Sequence, residues 1–281
     1  MVERLRRPVL FNRRVNQSQP IVCLQRLALA AAIALTCHVR AEQAEVHKFS
    51  EAPHDYWNRE PKDHFAQVMK QIESGEVKLD TTNDKAQLVS LLKALDVPVS
   101  SQLLVYSATS FQGGLIRPAN PRALYFNDEV YVGYVPGGAF EIAAIDPEMG
   151  PVFRIFRPTR SGLPETTRSQ RCMNCHAGNT SKQVPGLVAE SVICTNTGAS
   201  LDGFRRDQVG HTIPLSDRLG GWVITGTQEH GDHLGNLMGE SVKNGYKRFT
   251  NPPGKIFDWK LPHTHQRHSA APAARASTRL S

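Results

Sequence analysis

The run Cys172-Met173-Asn174-Cys175-His176 sets two thiols three positions apart and an imidazole directly after the second. On one helical turn such thiols can add to the two vinyl groups of a haem, and the adjacent imidazole can reach the iron as proximal ligand. Two other chemistries use paired thiols. A structural zinc site needs a second pair of ligands; no second C-x-x-C occurs, although His263-Thr264-His265 could contribute. A thioredoxin-like redox pair normally follows a βαβ pattern, which the periodicity does not predict here. The expected cofactor is therefore haem c, bound through Cys172 and Cys175 with His176 on the iron.

The other side of the iron sets the function. Histidine there favours a low potential, methionine raises it, thiolate lowers it further, and an open position admits a small molecule. The candidates are His211, His230, His233, Met238, Met149 and Cys194. His233 lies in the Gly-rich run His230-Gly231-Asp232-His233-Leu234-Gly235, where backbone can approach a flat cofactor closely. His211, before Thr212-Ile213-Pro214, is the second choice. Asp232 could orient a ligating imidazole or be a solvated loop charge. Cys194 follows Ser191-Val192-Ile193 and reads as an inert, half-buried thiol. Trp222 reads as a core residue that could alternatively pack on the cofactor.

These residues must be held by elements legible in the spacing. Phe65, Val68, Met69 and Ile72 recur at helical intervals within Pro61 to Ser74, with Pro61 in the first turn and Gly75 as the stop. Leu88, Leu91, Leu92 and Leu95 mark a second helix from Asp84 to Leu95. Short apolar runs follow at Leu103–Tyr106, Ala123–Phe126, Val130–Val135, Phe140–Ile145 and Val152–Phe156, separated by turn residues. Connections this short require an antiparallel meander, since a parallel crossover needs about a dozen residues. Two more strands are predicted at Leu187–Ile193 and Trp222–Thr225. Pro158 to Gln170 reads as a loop leading into a short helix that bears the cysteines. Glu42 to Arg59 reads as an extended lead-in, the periodicity fades beyond Tyr246, and 251–281 reads as a disordered tail. The fold class is α+β: N-terminal helices, then a mostly antiparallel sheet, then a short haem-bearing helix, all within one domain over 42–250.

The apolar run Leu27 to Cys37 sits behind Arg4, Arg6, Arg7, Arg13, Arg14 and Arg26, and Val39-Arg40-Ala41 supplies a small-residue cleavage pattern. Residues 1–41 thus read as a secretory signal. The run is too short for a membrane-spanning helix of roughly 20 residues, and Ala-Leu-Thr before Cys37 fits a lipobox poorly. The leader takes seven of the 33 basic and one of the 26 acidic residues, so the net charge of +7 falls to +1. A balanced mature chain gives no argument for nucleic acid as a partner. It keeps three cysteines, an odd number with two in one motif, which argues against a disulfide scaffold.

Four stretches carry a family resemblance: 92–105, 120–128, the segment around Cys172, and Gly220-Gly221-Trp222 followed by His233-Leu234-Gly235-Asn236. They resemble a group of exported bacterial proteins, themselves uncharacterised, described as cytochrome c domain-containing proteins. The resemblance covers roughly 90–236 and implies a single haem, with His211 and His233 in matching surroundings. Relatives continue into a helical C-terminal part with further histidines, where this chain passes into a low-complexity tail; a distal ligand or partner surface in that part would be altered here. The order of elements is also similar to that of PAS-like haem sensors, an analogy of arrangement alone. The expectation is a periplasmic or otherwise exported mono-haem cytochrome, soluble after signal cleavage, that carries one electron to a redox partner protein. A haem-based redox or small-ligand sensor is the alternative. One haem motif without a recognisable distal acid and base predicts no enzyme.

Overall fold

A computed structural model describes residues 48–203, 213–224 and 232–250. The expected signal over 1–41, the tail over 251–281, His211 and His230 lie outside the described residues. Among the described residues the chain is α+β, and no helix is long and apolar enough to cross a membrane.

Helix α1 (His64–Ser74) buries Phe65, Val68, Met69 and Ile72 and ends on Gly75, whose φ of 81° suits a residue without a side chain. It begins later than Pro61 because the carboxylate of Asp63 accepts from the Ala66 N–H and caps the first turn. Helix α2 (Asp84–Ala94) is capped in the same way by Asn83 and buries Leu88, Leu91 and Leu92.

The five expected strands form the meander, as β1 (Leu103–Val105), β2 (Arg122–Phe126), β3 (Val130–Tyr134), β4 (Phe140–Asp146) and β5 (Gly150–Arg157). A sixth, β6 (Glu165–Thr167), adds to β5 inside the segment expected to be loop, and the sheet order is the chain order. As an edge strand β6 pairs on one side only, and its largely exposed Glu-Thr-Thr side chains carry no apolar alternation to reveal it.

Alternation divides the sheet into two faces. Ala123, Tyr125, Val130, Val132, Tyr134, Phe140, Ile142, Ala144 and Phe156 join the α1 and α2 side chains in the main core. Arg122, Leu124, Phe126, Tyr131, Gly133, Glu141, Ala143, Phe153 and Ile155 face the other way, as the registers Phe126↔Tyr131, Leu124↔Gly133, Tyr131↔Ala143, Ala143↔Phe153 and Glu141↔Ile155 require.

A helix α3 (Gln170–His176) precedes a second, four-stranded sheet of order β10-β9-β7-β8: β7 (Val192–Cys194), β8 (Ser200–Gly203), β9 (Leu237–Val242) and β10 (Gly245–Thr250). Among the described residues only Cys194↔Met238, between β7 and β9, is a parallel pairing. Two expected strands change here. Leu187–Ile193 contracts to its end, and the described part of the second, Trp222–Ile224, is no strand: the Trp222 N–H closes a turn onto Leu219 and the residue forms one isolated bridge to Val105. Strand β10 continues past Tyr246 through backbone pairing to β9, which apolar periodicity does not report.

The lead-in also differs from expectation over its described part. Residues 48–59 fold as successive turns, with Tyr56 fully buried and Phe49, Tyr56 and Trp57 meeting edge to face. The Tyr56 hydroxyl accepts from the Phe153 N–H at 2.9 Å, so this segment satisfies a β5 donor beyond the reach of β6.

Where the lead-in meets the β4–β5 turn, Asp146 accepts backbone N–H bonds from Lys62 (2.6 Å), Glu148 (2.8 Å) and Met149 (2.9 Å). Burial pushes its carboxyl up, but these bonds and the Arg59 guanidinium outweigh that and hold it below the usual range. The unfolded carboxyl titrates near pH ~3.9. The stabilisation is therefore complete above that value and is lost as pH falls through the lower folded pKa. In Asp146→Asn an amide would replace one acceptor oxygen. Urea titrations at successive pH values are expected to show a less stable variant near neutrality whose stability falls less than the wild type's in acid.

Candidate functional site

Helix α3 stands on the outer face of the six-stranded sheet because its one buried side chain, Met173, enters a cluster with Tyr56, Met149, Val152, Phe153 and Ala177. Its approach is fixed from the lead-in: the Arg168 guanidinium donates to the carbonyls of Tyr56 (2.6 Å), Trp57 (2.7 Å) and Arg59 (3.2 Å). Positions 172, 175 and 176 are spaced i, i+3 and i+4, which brings the two thiols and the imidazole to one side of the helix.

The cysteines are unpaired, Cys172 half-buried against the Met173 cluster and Cys175 exposed. Burial pushes the Cys172 thiol up to about 11, with Glu141 adding to the effect. Cys175 is raised for the same first reason, with Glu190 second. A redox-active C-x-x-C pair needs a lowered thiol pKa to supply thiolate. These surroundings do the opposite, which counts against the dithiol reading.

His176 is held from two sides. Its ring stacks on Phe153 with centroids 3.9 Å apart and planes at 21°. Its Nδ1 lies 3.0 Å from the Gly186 carbonyl, while the Gly186 N–H donates to the His176 carbonyl at 2.8 Å. A carbonyl can only accept, so Nδ1 carries the proton and Nε2 the lone pair. Burial, the largest influence, holds the imidazole below its usual range and so favours the neutral form. The loop that returns to Gly186 turns tightly at Gly178, where a Cβ would come within 2.7 Å of the Asn174 carbonyl oxygen. Gln183 and Ser181 both donate back to the Gly178 carbonyl.

A polar group borders the helix on the same sheet face. Arg122 Nη1 donates to Glu141 Oε2 at 2.7 Å, while Ser110 and Gln112 each donate to Oε1 at 3.1 Å. Between these last two residues the ring of Phe111 lies 4.5 Å from the Arg171 guanidinium, which ties this loop to α3. Arg122 and Glu141 both act on His176, the first lowering and the second raising its pKa.

The candidate distal ligands are dispersed. Met149 is buried in the cluster beneath α3. Cys194 and Met238 face each other across β7 and β9 within the main core. Cys194 is fully buried, not half-buried, and burial pushes its thiol up to about 12. Trp222 is buried, its indole N–H donating to the Glu190 carbonyl, as the core reading expects. His233 is half-buried, and its Nδ1 accepts from the Gly235 N–H at 3.1 Å. That bond places the neutral ring's proton on Nε2, the reverse of His176. Ligation of iron through Nε2 would require this local bond to break.

The supports missed by spacing are Phe153, Gly186, Arg122, Glu141 and Arg168. Each acts through a partner distant in the chain or through backbone atoms, which leave no pattern of residue types. Among the described residues no three His, Cys, Asp or Glu side chains converge as a metal-ion site; a haem iron takes its four equatorial ligands from the porphyrin and needs no such group. Comparison with protein-family models, curated proteins and solved structures gives no match.

Proposed function

We propose that this chain is an exported mono-haem c-type cytochrome that carries one electron, with Cys172 and Cys175 forming the thioether links and His176 Nε2 the proximal bond to iron. The observation that carries the reading is the orientation of His176. A proximal imidazole must offer one ring nitrogen as a lone pair and have the other anchored, usually by a carbonyl or carboxylate. The Gly186 carbonyl anchors Nδ1, and both thiols are unpaired on the same side of the helix.

When bound, haem c supplies a reversible one-electron couple. The chain's own part is to orient the proximal ring through Gly186 and Phe153, and to keep water from much of it by burial. Export is supported by the basic, then apolar, leader over 1–41, since thioether attachment of haem takes place outside the cytoplasm. His211 and His233 remain the distal candidates, and the partner is another redox protein.

The test is the visible spectrum of the purified protein in both oxidation states, with haem staining after denaturation, repeated for His211→Ala and His233→Ala. The expected result is one covalent haem per chain with a six-coordinate, low-spin spectrum that one replacement converts to high-spin. A chain exported alongside haem-attachment machinery that carries no covalent haem would overturn the proposal. A five-coordinate wild type would instead favour the small-ligand sensor.

A further inference from the structure

Arg122 is the most unusual cation near α3. It extends from β2 across Gly133, where a Cβ would lie 3.4 Å from its Cδ, to reach Glu141 on β4. Its side chain is only 16% exposed. One of its five N–H groups is committed to Glu141, whereas its Nε is buried and has no hydrogen-bond partner among the described residues. Leaving such a donor unmade costs about 1–3 kcal/mol.

Glu141 does not supply the missing acceptor: it meets the guanidinium through Nη1 and leaves Nε without a partner. Its Oε2 takes Arg122, and its Oε1 takes both Ser110 and Gln112. The carboxylate therefore holds one side of a guanidinium whose planar fork can bind a second carboxylate. The group expected on Cys172 and Cys175 has two carboxylates of its own, and the loop that holds Glu141 through Ser110 and Gln112 meets α3 where Phe111 packs on Arg171. Arg122 and Glu141 both act on His176 from this face.

We infer that Arg122 is a positioning residue for the haem: held on one side by Glu141, its guanidinium takes a haem carboxylate on the other. This rests on the cytochrome reading above and adds a specific contact to it. Glu141, Ser110 and Gln112 are then the support that aims the guanidinium, with Gly133 leaving room for its stem.

The experiment measures the reduction potential against pH for the wild-type holoprotein, Arg122→Gln, Arg122→Lys and Glu141→Gln, with covalent haem counted in each. An opposite charge within about 4–6 Å lowers a carboxylate's pKa by about 1–3 pH units. Arg122→Gln is therefore expected to keep one haem per chain, to lower the potential at neutral pH, and to move the pH-dependent part of the curve upward by about one pH unit or more. Arg122→Lys retains the charge and is expected to restore most of the wild-type curve. Glu141→Gln breaks the same ion pair but leaves the guanidinium, so its curve is not expected to follow that of Arg122→Gln.

Identical curves for wild type and Arg122→Gln, or matching changes in Arg122→Gln and Glu141→Gln, would overturn the inference and leave the cytochrome reading standing. Absence of covalent haem from the wild type would overturn both. Should Arg122→Gln not fold, the comparison of Arg122→Lys with Glu141→Gln decides: a wild-type-like lysine curve supports the contact, and a lysine curve that tracks Glu141→Gln removes it.

Discussion

The double replacement Cys172→Ala/Cys175→Ala is expected to abolish covalent haem completely while leaving a folded chain. Thioether bonds survive denaturation, so a haem-stained denaturing gel reads their loss directly. The fold is expected to persist because neither thiol belongs to the main core: Cys175 is exposed and Cys172 only half-buried at the edge of the Met173 cluster. The cost in stability is about 1 kcal/mol, typical of a substitution that opens no large cavity. Cys194→Ala is the contrasting control. Its thiol is fully buried between β7 and β9 and held protonated, so its loss is expected to lower the melting temperature with the haem count unchanged. Haem retained on the denatured double variant would sink the attachment assignment, as would its loss from Cys194→Ala.

The second large effect concerns the platform on which α3 stands. Asp63 caps α1 and also forms a two-pronged pair with Arg154 of β5, at 3.2 Å (Nη1–Oδ1) and 2.5 Å (Nη2–Oδ2). The side chains are 0% and 6% exposed, and the guanidinium lies 5.2 Å from the Phe65 ring centroid. Removing one partner of such a pair leaves an uncompensated charge in the core and costs about 3–5 kcal/mol. Arg154→Met is expected to lower the melting temperature by roughly 6–20 °C, on a scale of about 2–4 °C per kcal/mol for a domain of this size. Asp63→Asn removes the other charge but keeps an oxygen for the Ala66 cap. The double variant is expected to recover much of the loss, and the four melting curves form a cycle that isolates the pair. A single variant within about 0.5 kcal/mol of wild type, the range of an ordinary surface change, would show that the pair contributes little.

Strand β5 links the two expectations, because its faces serve different ends. Arg154 joins the core beneath α1, whereas Phe153, its neighbour in sequence, supports His176 on the opposite face. The run Val152 to Phe156 reads simply as a strand in sequence. Which of its residues carries an imidazole depends on the side from which α3 returns, and no periodicity records that.

Local order was the legible part. The stripe of Phe65, Val68, Met69 and Ile72, the leucines of α2 and the five short apolar runs each report burial on one side of a nearby element, so helix, helix and meander follow from spacing alone. The thiol pair and the histidine are legible for a related reason: a haem bound as proposed would be met within one helical turn, so its demands would fall on neighbouring positions. Elements stabilised by pairing rather than by an apolar face were invisible. Strand β6 is polar, β10 depends on β9, and the lead-in aromatics pack without a period. Tertiary structure alone decided that the Gly186 carbonyl orients the His176 ring, that Phe153 lies beneath it, and that Arg122 and Glu141 border it. Those contacts join residues far apart in the chain or use backbone atoms that every residue type shares, and their geometry exists only once the sheet and its returning loops have folded.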